Sequence, residues 1–207
     1  AKGEHPFNFI TEISDCPWMD GNKIVHIGIQ GKKLDYKDIR PSNLVFLLDV
    51  SGSMSDNNKL PLLKKSFNLL LDELDDKDKI SIVVYAGAAG LVLPPTSASE
   101  KDKIKTALNN LHAGGSTAGG AGILLAYEQA KKAFIKDGNN RIILATDGDF
   151  NVGNSSTGSL VELVAEKRKD DIYLTILGFG MGNYKDNRME EISNAGNGNY
   201  FYIDNIK

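Results

Sequence analysis

Apolar residues along this chain fall into short continuous runs, separated by longer stretches in which they recur every three or four positions. The runs are Asn43–Asp49 (NLVFLLD), Lys79–Tyr85 (KISIVVY), Arg141–Thr146 (RIILAT), Ile172–Gly178 (IYLTILG) and Asn199–Ile203 (NYFYI). Each has the length of a strand, and near-continuous apolarity predicts burial on both faces. Lys23–Gln30 (KIVHIGIQ) alternates instead and predicts an outer strand. Leu91–Leu93 is short and stops at Pro94–Pro95, as an edge strand does. Between the runs, Leu60, Leu63, Phe67, Leu70, Leu71 and Leu74 mark one stripe of a helix, with Pro61 in its first turn. Glu100–Leu111, Gly120–Lys136, Leu160–Lys169 and Asp186–Asn194 predict further helices. This alternation predicts an α/β domain, with a mostly parallel sheet, an edge strand and helices on both faces. Its crossovers are expected to be right-handed. Ligands of such sheets bind beyond the carboxyl ends of the strands, so the loops there carry the candidate function.

Composition adds mainly exclusions. The chain has 207 residues, 41% apolar and 25% charged, with a formal net charge of -3. That suits one domain with short extensions. The negative balance, without a Lys/Arg stripe, argues against nucleic acid. No apolar run is long enough to span a membrane. Cys16, the single cysteine, can form neither an internal disulfide nor a cysteine-based zinc site. Beside Pro17 and Trp18 it reads as a small buried residue. The mixed charges of Asp72–Lys79 read as a solvated turn, and His26 reads as a structural residue of its strand. Residues 1–42 form an N-terminal extension that includes the outer strand. No signal-peptide pattern follows Ala1, and no helix covers the last strand, so both ends read as trimmed.

Three loops at predicted strand ends carry oxygen side chains. The first is Asp49-Val50-Ser51-Gly52-Ser53, the second Gly114-Gly115-Ser116-Thr117-Ala118-Gly119-Gly120, and the third Thr146-Asp147-Gly148-Asp149. An acid at the end of an apolar strand is partly desolvated and requires a counter-charge. Two carboxylates and three hydroxyls, without His or Cys, suit a hard cation rather than zinc. Mg²⁺ fits best because it keeps several waters and takes few carboxylates, with Mn²⁺ and Ca²⁺ as alternatives. The plainer explanation of Asp49-x-Ser51-x-Ser53 is capping of the following helix. Agreement among three loops favours the cation.

These motifs resemble the metal-ion-dependent adhesion site of von Willebrand factor A domains: D-x-S-x-S after the first core strand, a threonine in a Gly-rich second loop, and T-D-G after a later strand. The resemblance implies a three-layer, Rossmann-like fold over residues 43–207, ending before the family's last helix. It also implies one divalent cation held by Asp49, Ser51, Ser53, Thr117 and Asp147, with Asp49 and Asp147 acting directly or through water. Ser116 competes with Thr117 for the ligand position, Thr117 being favoured. Asp149 is placed in support, and Met181 and Tyr184 are either exposed contact residues or ordinary loop packing. A carboxylate from a partner protein would complete the coordination. IVVYAGAAGLVLPPT, GGSTAGGAG, ILATDGDFNVG and LGFGMGNY resemble a bacterial subgroup often labelled calcium-activated chloride channel-like, whose members tend to be envelope proteins, some of them lipoproteins. This implies a cell-envelope location, with the cytoplasm as the alternative; nothing in these residues suggests a pore, and no channel activity is carried over.

Other motifs carry less. Asp147-x-Asp149-x-Asn151 imitates a calcium loop, but Val152 and Gly158 stand where an EF-hand needs glycine and an acid. Gly178-x-Gly180-x-Gly182 is followed by Asn183 rather than the glycine of a dinucleotide fingerprint, so a tight turn is expected. No P-loop sequence exists. The expected function is therefore a cation-dependent protein-binding module, not an enzyme. One alternative is a metal-dependent phosphatase. Asp49 resembles the nucleophile of haloacid dehalogenase-type phosphatases in position, but Ser51 stands where their second acid belongs. The other alternative is a structural domain whose metal only stabilises the fold.

Overall fold

A computed structural model gives the structure of residues 5–31, 39–86, 88–114, 119–148, 150, 157–180 and 186–204. The chain divides into two compact units, Ala1–Ile39 and Arg40–Lys207.

The first unit is a hairpin of β1 (Phe7–Asp15) and β2 (Lys23–Gly31), paired antiparallel in a sheet of their own. The outer strand expected at Lys23–Gln30 therefore exists, but it does not join the central sheet. Its partner β1 was not expected, although Phe7, Phe9, Thr11 and Ile13 fall at alternate positions and carry a strand signal that was missed. Pairs of Phe9 with Ile29, Thr11 with Ile27 and Ile13 with Val25 share one face, while Asn8 with Gln30 and Glu12 with His26 share the other. The ribbon is thus amphipathic, and Phe9, Ile13, Val25, Ile27 and Ile29 are exposed. Cys16 is only partly buried, in the turn where its N–H donates to the Asn22 carbonyl at 3.1 Å, and Trp18 beside it is exposed. The expectation of a buried cysteine fails because a two-stranded ribbon has no second layer to cover its turn.

The second unit is a six-stranded sheet in the order β5-β4-β3-β6-β7-β8. Its strands are β3 (Ser42–Asp49), β4 (Lys79–Ala86), β5 (Ala88–Ser97), β6 (Asn139–Thr146), β7 (Ile172–Phe179) and β8 (Tyr200–Ile203). All neighbours are parallel except β4 and β5. The helices are α1 (Leu60–Glu73), α2 (Lys101–Asn109), α3 (Gly119–Lys132), α4 (Thr157–Lys167) and α5 (Asp186–Ala195). Every residue of β3 is buried, as its unbroken apolar run requires. Phe46 and Leu48 enter one core with Leu63, Phe67 and Leu71 of α1 and Ile104 and Leu108 of α2. Val45 and Leu47 enter the other with Ile123, Ala126 and Ala130 of α3, Val164 of α4 and Ile192 of α5. Helices on both faces make the three layers.

Three local expectations need correction. The edge strand does not stop at Pro94–Pro95 but runs to Ser97, because register shifts between Ile80 and Ile82 and between Ile82 and Val83 admit the prolines on an edge. Helix α3 ends at Lys132 rather than Lys136. The charged turn at Asp72–Lys79 is not wholly solvated. Asp78 is buried, and its carboxylate accepts the Ser42 N–H at 2.7 Å and the Asp75 N–H at 3.1 Å. Near it Asn43 donates to the Ala130 carbonyl at 2.9 Å and to Asn140 Oδ1 at 3.2 Å. Buried polar groups at the amino ends of β3 and β6 thus satisfy backbone, whereas those at the carboxyl ends form the candidate site.

Candidate metal centre

The register fixes where the acids stand. Asp49 ends β3 directly opposite Tyr85 of β4, and Asp147 follows the last residue of β6. Adjacent parallel strands therefore deliver both carboxylates to the same edge of the sheet. Asp49 is fully buried. Its Oδ1 accepts the Ser51 N–H at 2.9 Å, and its Oδ2 accepts the hydroxyl of Tyr85 at 3.2 Å and that of Thr146 at 3.4 Å. Burial pushes the Asp49 carboxyl above its ordinary pKa, and the bonds from Ser51 only partly oppose this; the charge of Asp147 adds to the rise. Burial likewise raises the Tyr85 phenol well above its usual value, so it remains a donor.

Beyond Asp49 the chain turns through a short 3₁₀ segment, Gly52–Ser55, with Met54 buried beneath it. Ser51 precedes that segment but makes no side-chain capping bond. Its hydroxyl lies 3.0 Å from the hydroxyl of Ser53 instead. Capping therefore does not account for the D-x-S-x-S pattern.

Asp147 has a side chain only 2% exposed, and Lys59 lies 3.0 Å from its Oδ2. The same ammonium donates to the Ser53 carbonyl at 2.9 Å. Asp147 Oδ1 is buried and makes no hydrogen bond among the described residues. The glycine after it, Gly148, has φ +96°, a conformation that favours glycine. The other loops converge here too. The Gly114 N–H donates to the Val50 carbonyl at 2.8 Å, tying the second loop to the first. Gly180, just beyond β7, lies against Lys59: a Cβ added there would stand 2.5 Å from the lysine Cε. Its φ is +85°, a conformation that favours glycine; the rest of the turn expected beyond it, from Met181, lies outside the described residues.

Of the expected site residues, the structure thus brings together Asp49, Ser51, Ser53 and Asp147. Ser116, Thr117, Asp149, Met181 and Tyr184 lie outside the described residues. Three participants were missed in the sequence: Lys59, Tyr85 and Thr146. Tyr85 and Thr146 lie at the carboxyl ends of core strands whose parallel register with β3 brings them to Asp49, so a strand alignment could have found them. Lys59 gave no such signal, since a lysine before a helix is ordinary.

Among the described residues no group of three or more His, Cys, Asp or Glu side chains gathers. The protein donors available to a cation here are carboxylates and hydroxyls, the set that hard ions take. Among the described residues, the two buried carboxylates of Asp49 and Asp147 face one ammonium, a formal charge of -1. The unpartnered Asp147 Oδ1 marks where positive charge is lacking. In an octahedral Mg²⁺ shell with oxygens at about 2.1 Å, neighbouring ligands stand about 3.0 Å apart. The Ser51–Ser53 hydroxyl pair has that spacing.

The sequence model of the von Willebrand factor type A domain matches residues 43–207. The chain belongs to this family. An uncharacterized protein, YfbK of Escherichia coli (strain K12), is 45% identical over 201 residues, covering 97% of this chain and 35% of its own length. The chain therefore spans about a third of that relative. A crystal structure of an aerotolerance-related membrane protein from Bacteroides fragilis NCTC 9343 superposes with a TM-score of 0.65 at 24% identity, covering 79% of this chain and 92% of that one. A von Willebrand factor type A protein from Catenulispora acidiphila gives a TM-score of 0.67 at 20% identity, over 96% of this chain and 46% of the other. Von Willebrand factor A domains typically mediate protein–protein interaction. No helix among the described residues is long and apolar enough to cross a membrane.

Proposed function

We propose that this A domain binds a partner protein through one divalent cation, Mg²⁺ or its substitute Mn²⁺, held by Asp49, Ser51, Ser53, Thr117 and Asp147. The observation that carries the proposal is the meeting of Asp49, Asp147 and the paired Ser51 and Ser53 hydroxyls at one sheet edge, with a buried carboxylate oxygen unpartnered. The hydrogen bond from Gly114 to Val50 supports a role for Thr117, three residues further on, because it draws the second loop toward the first. When bound, the cation supplies a Lewis-acidic position that takes an anionic oxygen, and a carboxylate of the partner is the matching ligand. This chain's residues do the rest: Tyr85 and Thr146 orient Asp49, and the exposed Ser53 leaves the site open to a partner. An envelope location is part of the proposal, supported by the membrane protein among the structural neighbours.

The test is metal uptake followed by partner capture. The chain is expected to take up one Mn²⁺ in calorimetry, with Asp147→Ala and Thr117→Ala each weakening uptake by about tenfold or more. Immobilised on beads, it is expected to retain a partner from envelope extract in Mg²⁺ and release it in chelator. Equal capture in Mg²⁺, in chelator and by Asp147→Ala would discard the cation bridge. Undiminished capture by Thr117→Ala beside metal-dependent melting would instead favour a purely structural ion.

A further inference from the structure

Lys59 is the one described cation that enters the site. It reaches there from the residue immediately before α1, and its side chain is 16% exposed. Three partners surround the ammonium: Asp147 Oδ2 at 3.0 Å, the Ser53 carbonyl at 2.9 Å and, on the exposed side, Asp56 at 3.8 Å. Its aliphatic stem fills the space above Gly180, where a Cβ would stand 2.5 Å from Cε and 3.3 Å from both Cδ and Cγ. The lysine is therefore seated between the first loop, the third loop and the turn after β7. A surface ion pair would lack that enclosure.

We propose that Lys59 is a tethered counter-cation: its ammonium holds Asp147 Oδ2 and the Ser53 turn in place, and a divalent ion that takes the unpartnered Asp147 Oδ1 binds against its charge. This rests on the metal reading above and adds to it a residue that lowers the site's affinity. The physical reason is charge. Asp147 and the Ser53 turn both belong to the candidate ligand set, so an ion bound there and the ammonium would be like charges a few ångströms apart in a poorly solvated pocket. The ion therefore binds against the ammonium's charge, which weakens uptake. The same ammonium offsets the buried charge of Asp147.

The experiment compares the wild-type chain with Lys59→Met and Lys59→Arg, following Mn²⁺ uptake by calorimetry and melting in chelator. Lys59→Met is expected to bind Mn²⁺ about tenfold tighter or more while melting lower in chelator, and Lys59→Arg to stay near wild type in uptake. A purely structural lysine would lower the melting temperature without tightening uptake. Wild-type uptake with equal or weaker binding by Lys59→Met overturns the counter-cation alone. No uptake by either chain removes the metal site and this inference together. Should Lys59→Met fail to fold, the wild-type lysine ammonium signal in ¹H–¹⁵N spectra decides. A signal protected in chelator that shifts or exchanges away on adding Mg²⁺ supports the role, and one unchanged at saturating Mg²⁺ overturns it.

Discussion

At the carboxyl edge of the sheet two acids one strand apart are treated differently. Asp49 is surrounded by donors from its own loop and from both neighbouring strands, whereas Asp147 is met by a single ammonium on one oxygen. The difference follows from depth, since donors can enclose a side chain inside the sheet but not one just past its end. Other buried polar groups lie far from this chemistry. The Tyr127 hydroxyl on α3 is buried without a hydrogen-bond partner among the described residues, and burial raises its pKa well above the usual tyrosine value. A phenol whose folded pKa is raised contributes stability that is complete below the unfolded value of about 10 and is lost as pH rises beyond it. Urea unfolding is therefore expected to show a steep loss of wild-type stability from pH 9 to pH 11, by that pKa of about 10, and a shallower loss for Tyr127→Phe. At pH 7 that variant should be equal to wild type or up to about 1 kcal/mol more stable, because it removes an unsatisfied hydroxyl. Loss of more than this would mean that Tyr127 has a partner outside the described residues.

Among the elements, those whose apolar pattern is continuous were the most legible. The expected limits of β3, β4, β6, β7 and β8 agree with the observed strands to within two residues, because unbroken apolar runs mark strand limits. The burial expected on both faces fails for β8, an edge strand on which Phe201 and Tyr202 are exposed. Helix ends and edges were less legible. The sequence had no cue that β5 would pass through two prolines, because the bulged pairing that admits them depends on Ile80 and Ile82 across the ladder. The junction of α5 and β8 also depends on a contact that sequence does not display. A Cβ on Gly198 would lie 1.8 Å from the Leu174 carbonyl oxygen. The Gly198 N–H also donates to the Ser193 carbonyl at 2.9 Å, so the segment has little room to retreat. Gly198→Ala is expected to cost about 2–4 kcal/mol in chemical denaturation, through displacement of β8 or of the Leu174 backbone. A change within about 0.5 kcal/mol would show that the junction is pliable.

For the whole molecule, every buried apolar residue described lies between Leu44 and Ile192, and the hairpin unit contributes none. The second unit therefore carries its own two cores. Residues 40–207 expressed alone are expected to unfold cooperatively, with a melting temperature within about 3 °C of the 207-residue chain. A loss of cooperativity would show that the hairpin completes the fold. Residues 1–39 alone should give a spectrum without a thermal transition, as an isolated two-stranded ribbon is marginal in water. By itself the sequence determined the layered α/β architecture, the positions of β3, β4, β6, β7 and β8 and the acids and hydroxyls of the two strand-end loops described, because unbroken apolar runs and strand-end polarity are local patterns. Only the tertiary structure decided that Lys23–Gly31 pairs outside the main sheet, that Asp78 is buried, and that Tyr85, Thr146 and Lys59 converge on the carboxylates. Those outcomes depend on register and on the approach of residues up to 97 positions apart, from Asp49 to Thr146. No periodicity in the chain encodes a distance of that kind.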